Sequence, residues 1–265
     1  MDHALESVDR LKVESRMSAE KSDALIIRLT DFSETSKVVT FFTRDWGKIS
    51  AMAKGARRLR SSFEAALDLL SVCKIVFLRK SSGGLDLLTE AQLTARFQPG
   101  TSNLGAFYAG CYVAELLASL SVEHDPHPVL YDASILTLRR LEQSPDYKIP
   151  LIQFELILLK EIGQLPVFDC CLNCQKSIED VGLWTYSIGQ SGFLCPRCRH
   201  EEAARVLIHT GSIHLMNHLS QGSANLPDGL NITPQHYQEM RHVLTATISH
   251  ILGRRPKVLA FLTSL

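Results

Sequence analysis

Two short turns, CLNC and CPRC, put Cys171, Cys174, Cys195 and Cys198 at the ends of a segment with twenty residues between the inner pair. Two C-x-x-C turns separated by about 15–20 residues are the pattern of a structural zinc site. Each turn presents two thiolates on one side of a tight knuckle, and two knuckles complete a tetrahedron with Zn–S near about 2.3 Å. Four sulfur ligands leave no position for water, so one structural Zn2+ per chain is expected rather than a catalytic ion. Cys170 is a spare thiol that could replace Cys171, although C-x-x-x-C is a less usual knuckle. The remaining two of the seven cysteines, Cys73 in SVCKIVFL and Cys111 in FYAGCYVAELL, read as small core residues. The stretch VGLWTYSIGQSGF between the knuckles carries little apolar mass, so the metal is expected to order it.

A second grouping is cationic. Between Lys37 and Arg60 lie Lys37, Arg44, Lys48, Lys54, Arg57, Arg58 and Arg60 against the single acid Asp45. That segment is +6 in a chain with 28 basic and 28 acidic residues, so the remainder sums to −6. Within GKISAMAKGARRLRSSF there is no acid at all, and internal salt bridges are impossible. Such an excess sets partners and association rates rather than fold. Nucleic acid is the commonest anionic partner for it, and a solvated loop is the alternative.

Other arrangements do not assemble into an active site. His124 and His127 of HDPHP fall in a proline-marked loop with no third ligand nearby. His214 and His218 are spaced i, i+4 but lack the glutamate of H-E-x-x-H. KSSGG lacks the Walker lysine context, and neither G-x-S-x-G nor G-x-G-x-x-G occurs. The chain reads as a binding protein, not an enzyme.

The elements that must carry these residues change character along the chain. The 265 residues, 45% apolar and 21% charged, allow one large domain or two to three small ones. ALIIRL, KVVTFFT, KISAMA, LSVCKIVFLR and LDLLTEAQLTARF read as strands, separated by the turn chemistry of DFSETS, RDWG, KGARRLRSS and KSSGG. Five strands in so short a span suggest a small closed or partly closed barrel. In KISAMA the spacing points Ile49, Ala51 and Ala53 one way, and Lys48, Ser50, Met52 and Lys54 the other. After Pro99–Gly100 the period becomes helical in NLGAFYAGCYVAELLASL, HPVLYDASILTLRRLEQ and IPLIQFELILLKEIGQL, with Pro128 and Pro150 near helix starts. Further helices are expected at 212–220 and 234–252. The fold class is therefore α+β and multidomain. A charged extension, 1–17, disordered or frayed, precedes a β domain at 18–99 and a helical domain at 100–265 with the cysteine insert at about 166–200. Met17 is a plausible start. No apolar run reaches the length of a membrane span and no secretory pattern is present, so a cytoplasmic protein is expected.

The order of parts resembles the RecO family of bacterial DNA repair proteins. The family pattern is E-T/S, an apolar strand, T-x-x-x-G-K, A-K-G-A-R-R and S-x-x. Its positions here are Glu34, Thr35, Thr43, Gly47, Lys48, Ala53, Lys54, Gly55, Ala56, Arg57, Arg58 and Ser61. The second half is similar too, with a helical body, the two knuckles, SGF before the second pair, and the closing LGRRPKVLAFL. Gln175 departs from the pattern, standing where the family usually has glycine, and Cys170 is an extra thiol.

The resemblance implies an N-terminal OB-fold, a helical domain with a zinc insert, and a non-enzymatic role in recombinational repair close to the nucleoid. It implies binding of single- and double-stranded DNA, annealing of complementary strands, and work with RecR and SSB to load RecA. DNA contacts are then expected from Lys37, Arg44, Lys48, Lys54, Arg57, Arg58 and Arg60, with Trp46 as the stacking ring or else a plug at the barrel rim. Phe41 and Phe42 are adjacent on one strand, so one faces outward unless another domain covers it. A basic-rimmed groove in the helical domain could receive the acidic SSB tail, with Arg139, Arg140, Arg254 and Arg255 as candidates by charge. The competing reading is a zinc-ribbon interaction module, a transcription or ribosome accessory factor, in which Arg197, Arg199 and His200 touch nucleic acid.

Overall fold

The computed structural model describes residues 18–58, 61–63, 65–80, 84–100, 103–144, 146–179, 181–199, 205–221 and 232–262. The N-terminal extension, Met17, Arg60 and His200 lie outside the described residues.

Five strands close into a barrel in the order β1 (Ser18–Asp31), β2 (Lys37–Thr43), β3 (Gly47–Ala53), β5 (Asp86–Ala95) and β4 (Val72–Arg79). All pairings are antiparallel except β3 with β5. β1 serves two neighbours: its first half pairs with β4, its second half with β2, and an irregularity between Ile26 and Arg28 bends the strand. The alternation in β3 falls as its spacing dictates, with Ile49, Ala51 and Ala53 buried inside. This is the OB-type barrel.

One side of the barrel is not solvent. Ala24 and Ile26 face its interior core, while Leu25 and Ile27 join the core of the helical body, so four consecutive β1 residues are buried. The adjacent phenylalanines divide in the same way. Phe41 fills the barrel, and Phe42 packs on Tyr131 with ring centroids 6.5 Å apart. The second domain thus covers the outward ring.

The body comprises α1 (Leu104–Leu120), α2 (Pro128–Gln143), α3 (Lys148–Glu161), α4 (Thr210–Ser220), α5 (Pro234–Leu252) and the short α6 (Leu259–Leu262). Pro128 and Pro234 occupy first-turn positions, where a missing N–H costs little. Asn103 caps α1 by accepting from Ala106 N–H, and Thr233 and His236 form a reciprocal capping box on α5. Inside the body Glu155 accepts from Tyr112 Oη at 2.7 Å and from the guanidinium of Arg241. Burial alone would lower the Arg241 pKa; the Glu155 carboxylate outweighs it and holds the guanidinium above its ordinary value.

Between α3 and α4 the insert forms a four-stranded sheet, in the order β6 (Val167–Cys171), β8 (Gly192–Leu194), β7 (Leu183–Ser187) and β9 (Arg205–His209). Part of its order comes from packing rather than from a core of its own. Trp184, Tyr186 and Phe193 are buried in the main core, and the Tyr186 and Thr247 hydroxyls lie 2.6 Å apart, tying β7 to α5. The insert has no core of its own but borrows that of the helices, which a count of its own residues does not reveal.

Candidate nucleic-acid surface and metal centre

Of the seven cations read as one patch, the six described ones, Lys37, Arg44, Lys48, Lys54, Arg57 and Arg58, occupy two ends of a single hairpin. Thr43 pairs with Gly47 at one end of β2–β3, and Lys37 pairs with Ala53 at the other. Six residue steps separate them, roughly 20 Å at about 3.4 Å per residue.

At the turn end, Thr43 Oγ1 donates to the Gly47 carbonyl at 2.8 Å and accepts Trp46 N–H at 3.0 Å, which fixes the T-x-x-x-G spacing as a turn. Gly47 has φ +65°, and a Cβ there would lie 2.1 Å from the Asp125 carbonyl oxygen, so the α1–α2 loop presses directly on its backbone. Lys48 follows: its carbonyl accepts His124 N–H at 2.9 Å and its Nζ donates to the Ala118 carbonyl at 3.0 Å. Burial against the body lowers the Lys48 pKa, with Glu123 opposing. Arg44 donates twice to Asp132 on α2, Nε and Nη2 each at 3.0 Å. Trp46 is half-buried at the barrel rim: it meets Phe77 edge-on at 6.3 Å, donates Nε1–H to the Lys21 carbonyl, and has Arg79 over its ring at 5.4 Å. Arg44, Trp46 and Lys48 are therefore all engaged within the molecule.

At the open end, Lys54, Gly55, Arg57 and Arg58 form tight turns leading out of β3, with Gly55 at φ +75°. Arg57 fastens this loop to the β1–β2 turn: its N–H donates to Thr35 O at 3.1 Å and its Nη1 to Ser33 O at 2.8 Å, and it lies 3.6 Å from Asp31. Lys54 and Arg58 are exposed and carry no ion pair among the described residues. Lys37 lies across the ladder from Ala53, beside Lys54 in sequence, and so borders the same surface.

Sequence reasoning missed the ring that belongs here. Phe32, in the β1–β2 turn that Arg57 grips, is 60% exposed. The available signal was a large apolar residue inside the turn DFSETS, where neither face of a sheet could bury it.

The four knuckle sulfurs of Cys171, Cys174, Cys195 and Cys198 lie within 4.8 Å of one another. Cys174 and Cys195 Sγ are 3.7 Å apart, close to the edge of about 3.8 Å that a tetrahedron with a metal–sulfur length of about 2.3 Å requires. Burial raises the Cys171 pKa, but backbone N–H groups of Cys174, Cys195 and Asn173 outweigh it and hold the thiol at about 6. Cys198 is pushed up to about 12, first by its hydrogen bond with Cys195 and then by desolvation and its other sulfur neighbours. Four such thiols ionise together only around a cation, and the all-sulfur donor set fits a soft tetrahedral one such as zinc. Cys170 stands outside the group, with Sγ 3.1 Å from Gln175 Oε1. Gln175 has φ +59°, a left-handed conformation that explains why glycine suits the position after the knuckle.

Of the arginines named for a tail groove, Arg254 pairs with Glu115 at 3.1 Å and Arg140 donates to Gln153 at 2.6 Å, while Arg139 and Arg255 are exposed. No helix among the described residues is long and apolar enough to cross a membrane.

Comparison with known families matches residues 17–97 to the model described as Recombination protein O N terminal, and residues 101–260 to Recombination protein O C terminal. The chain belongs to the RecO family. It is 31% identical over 262 residues to the DNA repair protein RecO of Rhodopirellula baltica, covering 90% of this chain and 97% of that one. Identity to the RecO of Anaeromyxobacter dehalogenans is 29% over 246 residues, covering 93% and 96%, and to that of Bacillus pumilus 30% over 225 residues, covering 84% and 86%. In this RecO chain, the motif positions Thr43, Gly47 and Lys48 form the joint between barrel and body, and Lys54, Arg57 and Arg58 form the exposed loop.

Proposed function

We propose that this RecO chain is a non-enzymatic recombination mediator that binds single- and double-stranded DNA and anneals complementary strands. With RecR and SSB it would help place RecA on DNA in the cytoplasm. The supporting observation is the open end of the hairpin, where exposed Lys54 and Arg58, the anchored Arg57 and the exposed ring of Phe32 share one rim of an OB-type barrel. Cations along a barrel track phosphates, and an exposed ring gives a base a face on which to stack. Neutralising two strands at once lowers their repulsion without making or breaking a covalent bond. The cysteine knuckles hold one structural zinc and do no chemistry.

For the acidic, apolar-ended SSB tail, the better seat is a cavity of about 250 Å³ between α3, α5 and α6. Tyr147, Leu151 and Leu259 supply apolar walls, and Lys148 and Arg241 supply charge. Arg241 is held by Glu155, so exposed Lys148 would meet the acidic groups of the tail.

Annealing of two complementary oligonucleotides by the zinc-loaded protein, with and without nucleotide and with and without SSB on the strands, tests the reading. Nucleotide-independent acceleration supports it. No acceleration by folded, zinc-loaded protein would favour the zinc-ribbon adaptor, with Arg197 and Arg199 as contacts.

A further inference from the structure

Helix α1 buries one side in the core yet carries a second apolar stripe that remains exposed among the described residues. Leu104 and Phe107 are 53% and 46% exposed, and Phe261 of α6 is 52% exposed beside them. Tyr108 joins the group: its ring stacks on Phe261 at 5.1 Å and 12°, and meets Phe107 edge-on at 5.7 Å. These are exposed rings held in fixed orientation, a costly thing to leave in water without a ligand.

The same stripe continues to Glu115, about 10 Å along the helix from Tyr108 at about 1.5 Å per residue. Glu115 is fully engaged, accepting Arg254 Nη1 at 3.1 Å and the backbone N–H groups of Lys257 and Val258 at 2.8 and 2.9 Å. It thereby anchors the turn that leads into α6. Arg255 and Lys257 on that turn are exposed and have no ion pair among the described residues. Rings and cations without an ion pair among the described residues thus share one strip, and Glu115 beside it is already engaged.

We propose that this strip is a second single-strand surface, on which bases stack against Phe107 and Phe261 while Arg255 and Lys257 meet phosphates. An apolar protein partner would leave both cations without a counter-charge. A single strand supplies a ring and an anion at every nucleotide, and so answers both the rings and the cations of the strip. The inference rests on the annealing reading above, for which it supplies a place for the complementary strand while the barrel holds the first.

The test uses the full zinc-loaded chain and two non-complementary oligonucleotides, the second carrying a fluorescent adenine analogue whose emission falls when it stacks. After the barrel is saturated with the first strand, the unsubstituted protein should take up the second and quench it. Phe107→Ala with Phe261→Ala should bind the first strand within about twofold of normal, but lose about tenfold or more in second-strand affinity and in annealing rate. Arg255→Ala with Lys257→Ala changes only exposed groups and should give the same selective loss, so failure to fold cannot account for it. Unchanged second-strand uptake and annealing in both variants would overturn the proposal and leave the strip to a protein. No binding of either strand by the unsubstituted protein would sink the annealing reading itself, and this proposal with it.

Discussion

At the turn end of the β2–β3 hairpin Arg44 and Lys48 are held by Asp132 and the Ala118 carbonyl, whereas at the open end Lys54 and Arg58 face solvent with no ion pair among the described residues. Both ends look alike in composition, and both belong to the same basic segment. The difference teaches that a cationic run divides by what it abuts. Where the backbone is pressed by another domain, its charges are drawn into joints; where the loop projects past the last ladder pair, they stay available to a ligand.

The largest disturbance that sharpens this contrast is removal of the metal, which should leave both ends of the hairpin alone. Chelation should expose the knuckle backbone around Cys171–Gln175 and Cys195–Cys198 to rapid hydrogen exchange. Trp184, 2% exposed and packed in the helical core, should keep its blue-shifted emission. Single-strand affinity should change by less than about twofold, since no phosphate contact is removed. A large loss of DNA binding on chelation would shift the surface to the knuckles.

Next in size is Gly47→Ala. The new methyl would need space held by the Asp125 backbone at a φ of +65°, so the joint must open. A loss of about 3 kcal/mol of stability is expected from overpacking and left-handed strain together, read from the urea midpoint. A shift of only a few tenths would mean that the α1–α2 loop is not pressed against the barrel as described. Smallest is Asp132→Asn, which frees one donor pair of an exposed Arg44. Stability should change little, because an exposed ion pair contributes little to folding. Single-strand affinity should rise by less than about twofold, because Arg44 stays at the wrong end; a larger rise would make the turn end a DNA surface after all.

Much of this was legible beforehand. The five barrel strands, the long helices and the Cys171, Cys174, Cys195 and Cys198 set follow from local period and spacing, which neighbouring residues decide; the four short strands of the insert do not. The division of the cations did not follow. Nothing near Lys48 in sequence says that its amino group reaches Ala118, seventy positions away. Phe42 posed the right question, since two adjacent rings on a strand cannot share one face, and Tyr131 answers it. Trp46 read as a stacking ring or else a plug at the barrel rim; it packs edge-on against Phe77 at that rim, and Phe32 is the exposed ring beside the cations. The insert's own apolar residues are few, and Trp184, Tyr186 and Phe193 are buried in a core that helices from elsewhere in the chain supply.

The salt dependence of single-strand binding, measured for two variants beside the unsubstituted protein, tests the central claim most directly. Lys54→Ala/Arg57→Ala/Arg58→Ala should weaken binding and reduce the slope of log affinity against log salt by about 2, roughly 0.7 for each lost phosphate contact. Arg44→Ala/Lys48→Met should leave that slope unchanged, whatever it does to stability. A flattened slope in the turn-end variant, with a normal one in the open-end variant, would contradict the assignment of the DNA surface to the rim that carries Lys54, Arg57, Arg58 and Phe32.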